Sequence, residues 1–158
     1  ASWRGTDELI RTLIDCVSKG GNLLLNVGPT ARGEFDERAL SRLQGIGEWM
    51  KRHGRAIYGC TQAPDEFPCP RDCRLTYNPE KKRLYVHVLA WPYKHLHLDG
   101  ALVERVEYAQ LLNDASEVKI GMDKWHADQF GFKSKVLTLN LPQVRPNAVV
   151  PVVELFLK

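Results

Sequence analysis

Between Asp7 and Lys19 the apolar residues Leu9, Ile10, Leu13, Ile14 and Val17 recur three and four positions apart, the spacing of one helical face. Thr6 stands where a cap is wanted, and Asp7 and Glu8 suit the positive end of a helix dipole. Gly20-Gly21 then ends the helix. The run Leu23-Leu24-Leu25-Asn26-Val27 that follows is apolar without alternation, the pattern of a strand covered on both faces in a parallel sheet, and Gly28-Pro29 stops it. A second helix is predicted from about Asp36 to His53, with Ala39, Leu40, Leu43, Ile46, Gly47 and Met50 as its apolar stripe and Gly54 as its C-cap. Helix, buried strand, helix is the order of an alternating α/β fold, yet a single strand finds no parallel partner among these residues. The segment is expected to pair with chain beyond it.

After about Arg55 the helical period disappears. Short runs rich in β-branched and aromatic residues predict strands at 74–77, 84–90, 95–98, 103–112, 117–120, 136–141 and 149–157. Asn78-Pro79-Glu80-Lys81-Lys82 makes a hairpin turn, and Leu84, Val86 and Val88 alternate with Tyr85, His87 and Leu89, as in a sheet with one face better buried. Seven short strands in about 100 residues suit an antiparallel sandwich.

Composition narrows the class. With 44% hydrophobic and 26% charged residues, the 158-residue chain has the makeup of a folded domain with a packed core, not of a disordered one. The excess of 22 basic over 19 acidic residues is small and scattered; Lys81, Lys82 and Arg83 read as a solvated turn, so nucleic-acid binding is not expected. No apolar run approaches the roughly 20 residues of a membrane-spanning helix, and no secretory signal pattern opens the chain. The first residues, Ala1-Ser2-Trp3, lead almost directly into helical periodicity, as though the chain were cut from something longer.

The stretch SKGGNLLLNVGPTARGEFDERALSRLQGIGEWMKRHGRAIYG, residues 18–59, resembles the segment that closes the catalytic barrel in α-L-fucosidases of glycoside hydrolase family 29. LYVHVLAWP at 84–92 and LNLPQVRPNAVVPVVELFLK at the C-terminal end resemble strands of that family's β-sandwich. The resemblance implies an α/β fragment, the last helix-strand-helix of a TIM barrel over residues 1–56, followed by an all-β antiparallel sandwich over 57–158. It also implies a retaining hydrolase acting on terminal α-linked L-fucose of glycans, with no metal or organic cofactor and an exported or lysosomal type of compartment. Such chemistry uses two carboxyl groups about 5 to 5.5 Å apart. In the family these, and the fucose-binding histidines, lie on earlier barrel strands. The expectation is therefore that this polypeptide holds no catalytic residue and is inactive alone, and that the missing barrel or another chain covers Leu23 to Val27.

Two residues are candidates for substrate contact. Ser2-Trp3 resembles a Ser-Trp pair whose aromatic ring lies against fucose in these enzymes, and an indole face is a rigid apolar platform for a sugar; Trp3 is alternatively a cover for the barrel edge. Asn26, at the mouth of the predicted strand, either donates to substrate or makes structural hydrogen bonds. Glu34, Asp36 and Glu37 sit near the strand exit, where barrel active sites lie, but read more simply as charge for the helix N-terminus. Gly28-Pro29-Thr30 lacks the spacing and the Lys of a phosphate loop. Trp49, Trp91 and Trp125 read as packing residues.

Cys60, Cys69 and Cys73 with His53 invite a zinc reading, although only one pair has ligand spacing; a disulfide among these cysteines or free thiols are the other readings, and Cys16 reads as a buried thiol. Two rivals to the hydrolase fragment remain. One is a non-catalytic carbohydrate-binding module, which has no need of the helix-strand-helix segment. The other is a structural β-sandwich module that mediates contacts with a covering partner.

Overall fold

The computed structural model describes residues 2–99, 104–121 and 136–158. Val103, where one predicted strand begins, and Trp125 lie outside them. Helix α1 spans Thr6–Ser18 and buries Ile10, Ile14 and Val17, the expected face. Its N-cap is Gly5 rather than Thr6, with no side-chain cap. Thr6 instead lies inside the helix where α1 meets α2, so close that a Cβ added at Gly45 would sit 2.5 Å from the Thr6 methyl. Gly45 is the crossing point of the two helices. At the other end Gly20 adopts φ +80, and the amides of Gly20 and Gly21 bond to the carbonyls of Val17 and Cys16.

Helix α2, Glu37–His53, starts on Asp36, whose carboxylate accepts from the Arg38 amide at 2.8 Å, and passes through Gly54 into a short 3₁₀ turn, Gly54–Ala56. Its buried residues are Ala39, Trp49 and His53. The predicted stripe is only partly covered: Leu40 is exposed, while Ile46 and Met50 pack at the edge of the core.

The predicted strand at Leu23 to Val27 does not form. These residues join no ladder, and Leu24 is 86% exposed. The physical reason is the one its pattern suggested: an apolar run of this kind needs strands on both sides, and the described residues supply none. A loop at 30–35 follows, closed by a bridge between Pro29 and Phe35 and turned by Gly33 at φ +76.

Among the described residues that follow, the strands form two antiparallel sheets, giving a small mixed α/β unit. The larger sheet has the order β1 (Thr61–Gln62), β2 (Cys73–Asn78), β3 (Arg83–Val88), β8 (Val152–Leu157), β5 (Val106–Leu111); the smaller has β4 (His95–Asp99), β7 (Val136–Asn140), β6 (Lys119–Gly121). Strand β1, unforeseen, is a two-residue edge pairing with Thr76 and Tyr77. Leu84, Val86 and Val88 of β3, with Val153 and Leu155 of β8, share one core with Leu96 and Leu98 of β4 and Leu137 and Leu139 of β7.

Sequence alternation suggested one better-buried face for β3, but both faces are buried. Tyr85 is 1% and His87 0% exposed, because α1 and α2 lie on the side away from the smaller sheet. There Ile10, Ile14, Trp49, Ala56, Tyr85, Val150 and Val152 make a second apolar cluster. Arg74 of β2 pairs with Asp15 of α1 at 3.1 Å, and Arg11 donates to the Leu89 carbonyl at 3.1 Å. Several polar side chains in this layer find partners inside it, although His53 Nε2 and His87 Nδ1 are buried without one. The Glu154 carboxylate, fully buried, receives Arg55 at 3.0 Å and Gln110 at 2.8 Å. Burial, then the hydrogen bond with Glu154, pushes the Tyr85 hydroxyl well above its usual range.

Candidate functional site

The first helical turns of α2, Leu9 of α1, the N-terminal residues and residues 25–28 line a cavity of about 240 Å³. Trp3 and Asn26, predicted separately, both line it, together with Leu25, Arg42 and Leu43. Their meeting depends on α2. Asp36 caps the helix and forms a two-pronged pair with Arg38, Nε to Oδ1 at 3.0 Å and Nη2 to Oδ2 at 3.1 Å, which orients the Arg38 guanidinium. That guanidinium carbon lies 4.5 Å from the centre of the Trp3 ring. Arg42, one turn on, lies 5.5 Å from it and donates to the carbonyls of Arg4 at 2.9 Å and Arg38 at 3.1 Å. Two cations thus hold the indole by its electron-rich face.

Trp3 keeps 42% of its surface exposed, Leu25 keeps 40%, and Asn26 is exposed at the rim. The arrangement offers an aromatic platform, an amide and positive charge, a set suited to a hydroxyl-rich ligand. Among the described residues, no carboxylate lines this cavity. Glu34, Asp36 and Glu37 border a separate open depression beside Phe35. The Arg38 side chain first, and its backbone amide second, hold the Asp36 carboxyl below the usual carboxylate range, which suits a cap and not a proton donor.

The remaining candidates have structural places. Trp49 is buried and its Nε1 donates to the Val150 carbonyl at 3.0 Å. Trp91 packs at the edge of the intersheet core and donates to the Pro142 carbonyl at 3.0 Å. All four cysteines are free; Cys16 is only half-buried, and the Cys69 thiol donates to the Cys73 carbonyl at 3.1 Å. Burial pushes the Cys60 thiol up to about 11 and the Cys73 thiol up to about 12, so neither is a reactive thiolate near neutrality. Among the described residues no three His, Cys, Asp or Glu side chains converge as metal ligands.

Arg38 and Arg42 were missed as partners of Trp3. Their spacing of four on a predicted helix was the available signal, since it places both guanidinium groups on one face.

Residues 1–55 match the family model described as alpha-L-fucosidase. The plasma alpha-L-fucosidase of Rattus norvegicus is 40% identical over 87 residues, 54% of this chain and 19% of that protein. Alpha-L-fucosidase isoenzyme 1 from Paenibacillus thiaminolyticus superposes with a TM-score of 0.83 at 35% identity, covering 99% of this chain and 35% of that one. A GH29 alpha-L-fucosidase from Bacteroides thetaiotaomicron superposes with a TM-score of 0.81 at 24% identity, a likeness of fold alone, over 100% of this chain and 33% of that one. The chain thus spans about a third of the solved structures it matches.

Proposed function

We propose that this chain, part of a protein of the α-L-fucosidase family, supplies the closing elements and one sugar-facing wall of a retaining hydrolase that releases terminal α-L-fucose from glycans. The observation that carries this reading is the family match over residues 1–55, the segment that builds the Trp3 cavity. In this reading residues 1–56 are the last helix, strand and helix of a TIM barrel, and residues 57–158 are a β-sandwich packed beneath it. The run Leu23 to Val27 becomes the eighth barrel strand when neighbouring strands, outside residues 1–158, pair with it. Its exposed apolar side chains and unladdered backbone support that role, since both are costly unless covered.

Hydrolysis with retention needs a nucleophilic carboxylate and an acid/base carboxyl. The cavity here offers neither, so both belong to the rest of the barrel. The chain's own contribution is positioning: Trp3 presents its exposed indole to the apolar side of a fucose ring, Arg38 and Arg42 fix that indole, and Asn26 directs the ring hydroxyls.

Hydrolysis of an aryl α-L-fucoside tests the proposal. The 158-residue chain alone is expected to show no turnover. The longer protein is expected to be active, and Trp3→Ala is expected to raise its KM about tenfold or more while the acid and base limbs of its pH profile stay in place. Turnover by the chain alone, or an unchanged KM in the variant, would overturn this division of roles.

A further inference from the structure

Residues 30–35 follow closely on Gly28, which lines the Trp3 cavity, and lead into the cap of α2. They form a turn held by its own hydrogen bonds. The Thr30 amide donates to the Glu34 carbonyl at 2.7 Å and the Gly33 amide to the Thr30 carbonyl at 2.9 Å, while Thr30 Oγ1 accepts from the Glu34 amide at 3.3 Å. The bridge between Pro29 and Phe35 closes the turn, so the backbone that carries Phe35 is fixed at both ends. What this built turn presents to solvent is a large apolar ring, 51% exposed. Phe35 stands one position before the Asp36 cap, where an apolar residue commonly packs on the fourth helical residue, here Leu40. That role does not use the ring up, because Leu40 is itself 41% exposed and half of Phe35 stays in water.

A short chain of contacts joins this ring to the Trp3 platform. Asp36, next to Phe35 in sequence, grips the Arg38 guanidinium with both carboxylate oxygens, and that guanidinium lies 4.5 Å from the centre of the Trp3 ring. Arg38 also borders the open depression to which Phe35, Arg32 and Glu34 belong. Two exposed aromatic side chains thus lie on either side of one ion pair. The Trp3 cavity, about 240 Å³, is smaller than the roughly 300 to 1,000 Å³ of pockets that enclose a drug-sized ligand, so it takes one sugar unit and leaves the rest of a glycan outside. The surface beside it has what a second unit needs. Phe35 offers a face for apolar C–H groups, and the exposed Arg32, Glu34 and Glu37 offer donors and acceptors for hydroxyl groups. Charges of both signs meet there, which suits a neutral sugar better than an ionic one.

We propose that Phe35 and its turn form the subsite for the neutral sugar unit to which the fucose is attached, the leaving group of the reaction; the proposal rests on the functional reading above. The longer protein tests it with α-L-fucosyl fluoride, whose leaving group is a single atom, and with fucosyl disaccharides of several linkages, the one cleaved fastest being used. Phe35→Ala is expected to lower kcat/KM for the disaccharide about tenfold and to leave that for the fluoride within about twofold. Phe35→Trp, which keeps an aromatic face, is expected to retain the disaccharide value. Phe35→Leu, which keeps apolar bulk without the flat face, takes the place of the alanine variant if that one does not fold. Equal losses on both substrates would overturn the proposal, by showing that the ring supports the fold or the Trp3 platform and not a leaving sugar. So would an undiminished disaccharide value in Phe35→Ala, or turnover of the fluoride without cleavage of any disaccharide. Failure of the unsubstituted protein on every substrate would instead overturn the functional reading, and the subsite with it.

Discussion

Leu23 to Val27 and Val152 to Leu157 are both short apolar runs, yet they meet opposite fates. The second is β8, hydrogen-bonded to β3 on one side and β5 on the other, with Val152, Val153, Glu154 and Leu155 wholly buried. The first forms no ladder, and Leu24 is 86% exposed. Hydrophobic content does not separate them. What separates them is the supply of backbone partners and covering surfaces, since a strand is stable only when its amides pair and both faces find something apolar. The helix-facing side of the larger sheet adds a refinement: it buries Thr76, His87 and Glu154 as well, with Arg55 and Gln110 on the Glu154 carboxylate and Thr76 between the Ala56 carbonyl and His87 Nε2, while His87 Nδ1 stays buried without a partner.

The largest expected effect comes from upsetting that polar layer with acid. Thr76 Oγ1 gives its single hydrogen to the Ala56 carbonyl at 2.7 Å, so it accepts from His87 Nε2 at 2.8 Å. Nε2 therefore carries a hydrogen, and burial keeps the ring neutral by bringing its pKa down from 6.5 to about 3. A depressed histidine is protonated first in the unfolded chain. Its contribution is complete above 6.5 and is lost as the pH falls toward 3. The loss is on the order of 5 kcal/mol at the acid limit, of which about 2 kcal/mol falls above about pH 5, before exposed carboxylates titrate. His53 shifts in the same direction. Urea unfolding at about pH 7, 6 and 5 measures the slope. A flat profile would mean that His87 can be charged in place, and the contrast between the buried layer and the exposed run Leu23 to Val27 would lose half its basis.

Next in size is the apolar core itself. Leu155, fully buried on the central strand β8, faces the intersheet cluster. Leu155→Ala is expected to cost about 2 to 5 kcal/mol, as lost burial plus a cavity that close packing does not refill. Denaturant midpoints at constant slope read this directly. A cost below about 1 kcal/mol would show that the two sheets are loosely joined.

Much of this architecture was legible in the residues. Both helices fall within one or two positions of their predicted ends because apolar spacing and Gly20 or Asp36 act locally. Most β strands were visible from short runs of β-branched and aromatic residues, and Trp3 and Asn26, singled out separately, line one cavity. The rest depended on contacts between distant segments. Nothing near Thr6 announces that Gly45, 39 residues later, must lack a Cβ. Nothing near His87 says that a helix will cover its face of the sheet. Strand β1 is two residues long and carries no periodicity to read.

The smallest effect is the most discriminating. Leu24→Ala, in the 158-residue chain, is expected to change unfolding free energy by less than about 0.5 kcal/mol, because the side chain is already in water. In a protein that supplies flanking barrel strands, the same side chain is expected to be buried, and the same substitution to cost about 2 to 5 kcal/mol. The comparison of the two backgrounds removes intrinsic strand propensity, which is common to both. A large difference assigns the missing stability of Leu23 to Val27 to its neighbours. Equal small costs in both would mean that the run remains exposed in the longer protein, and its apolar side chains would then need a different partner to account for them.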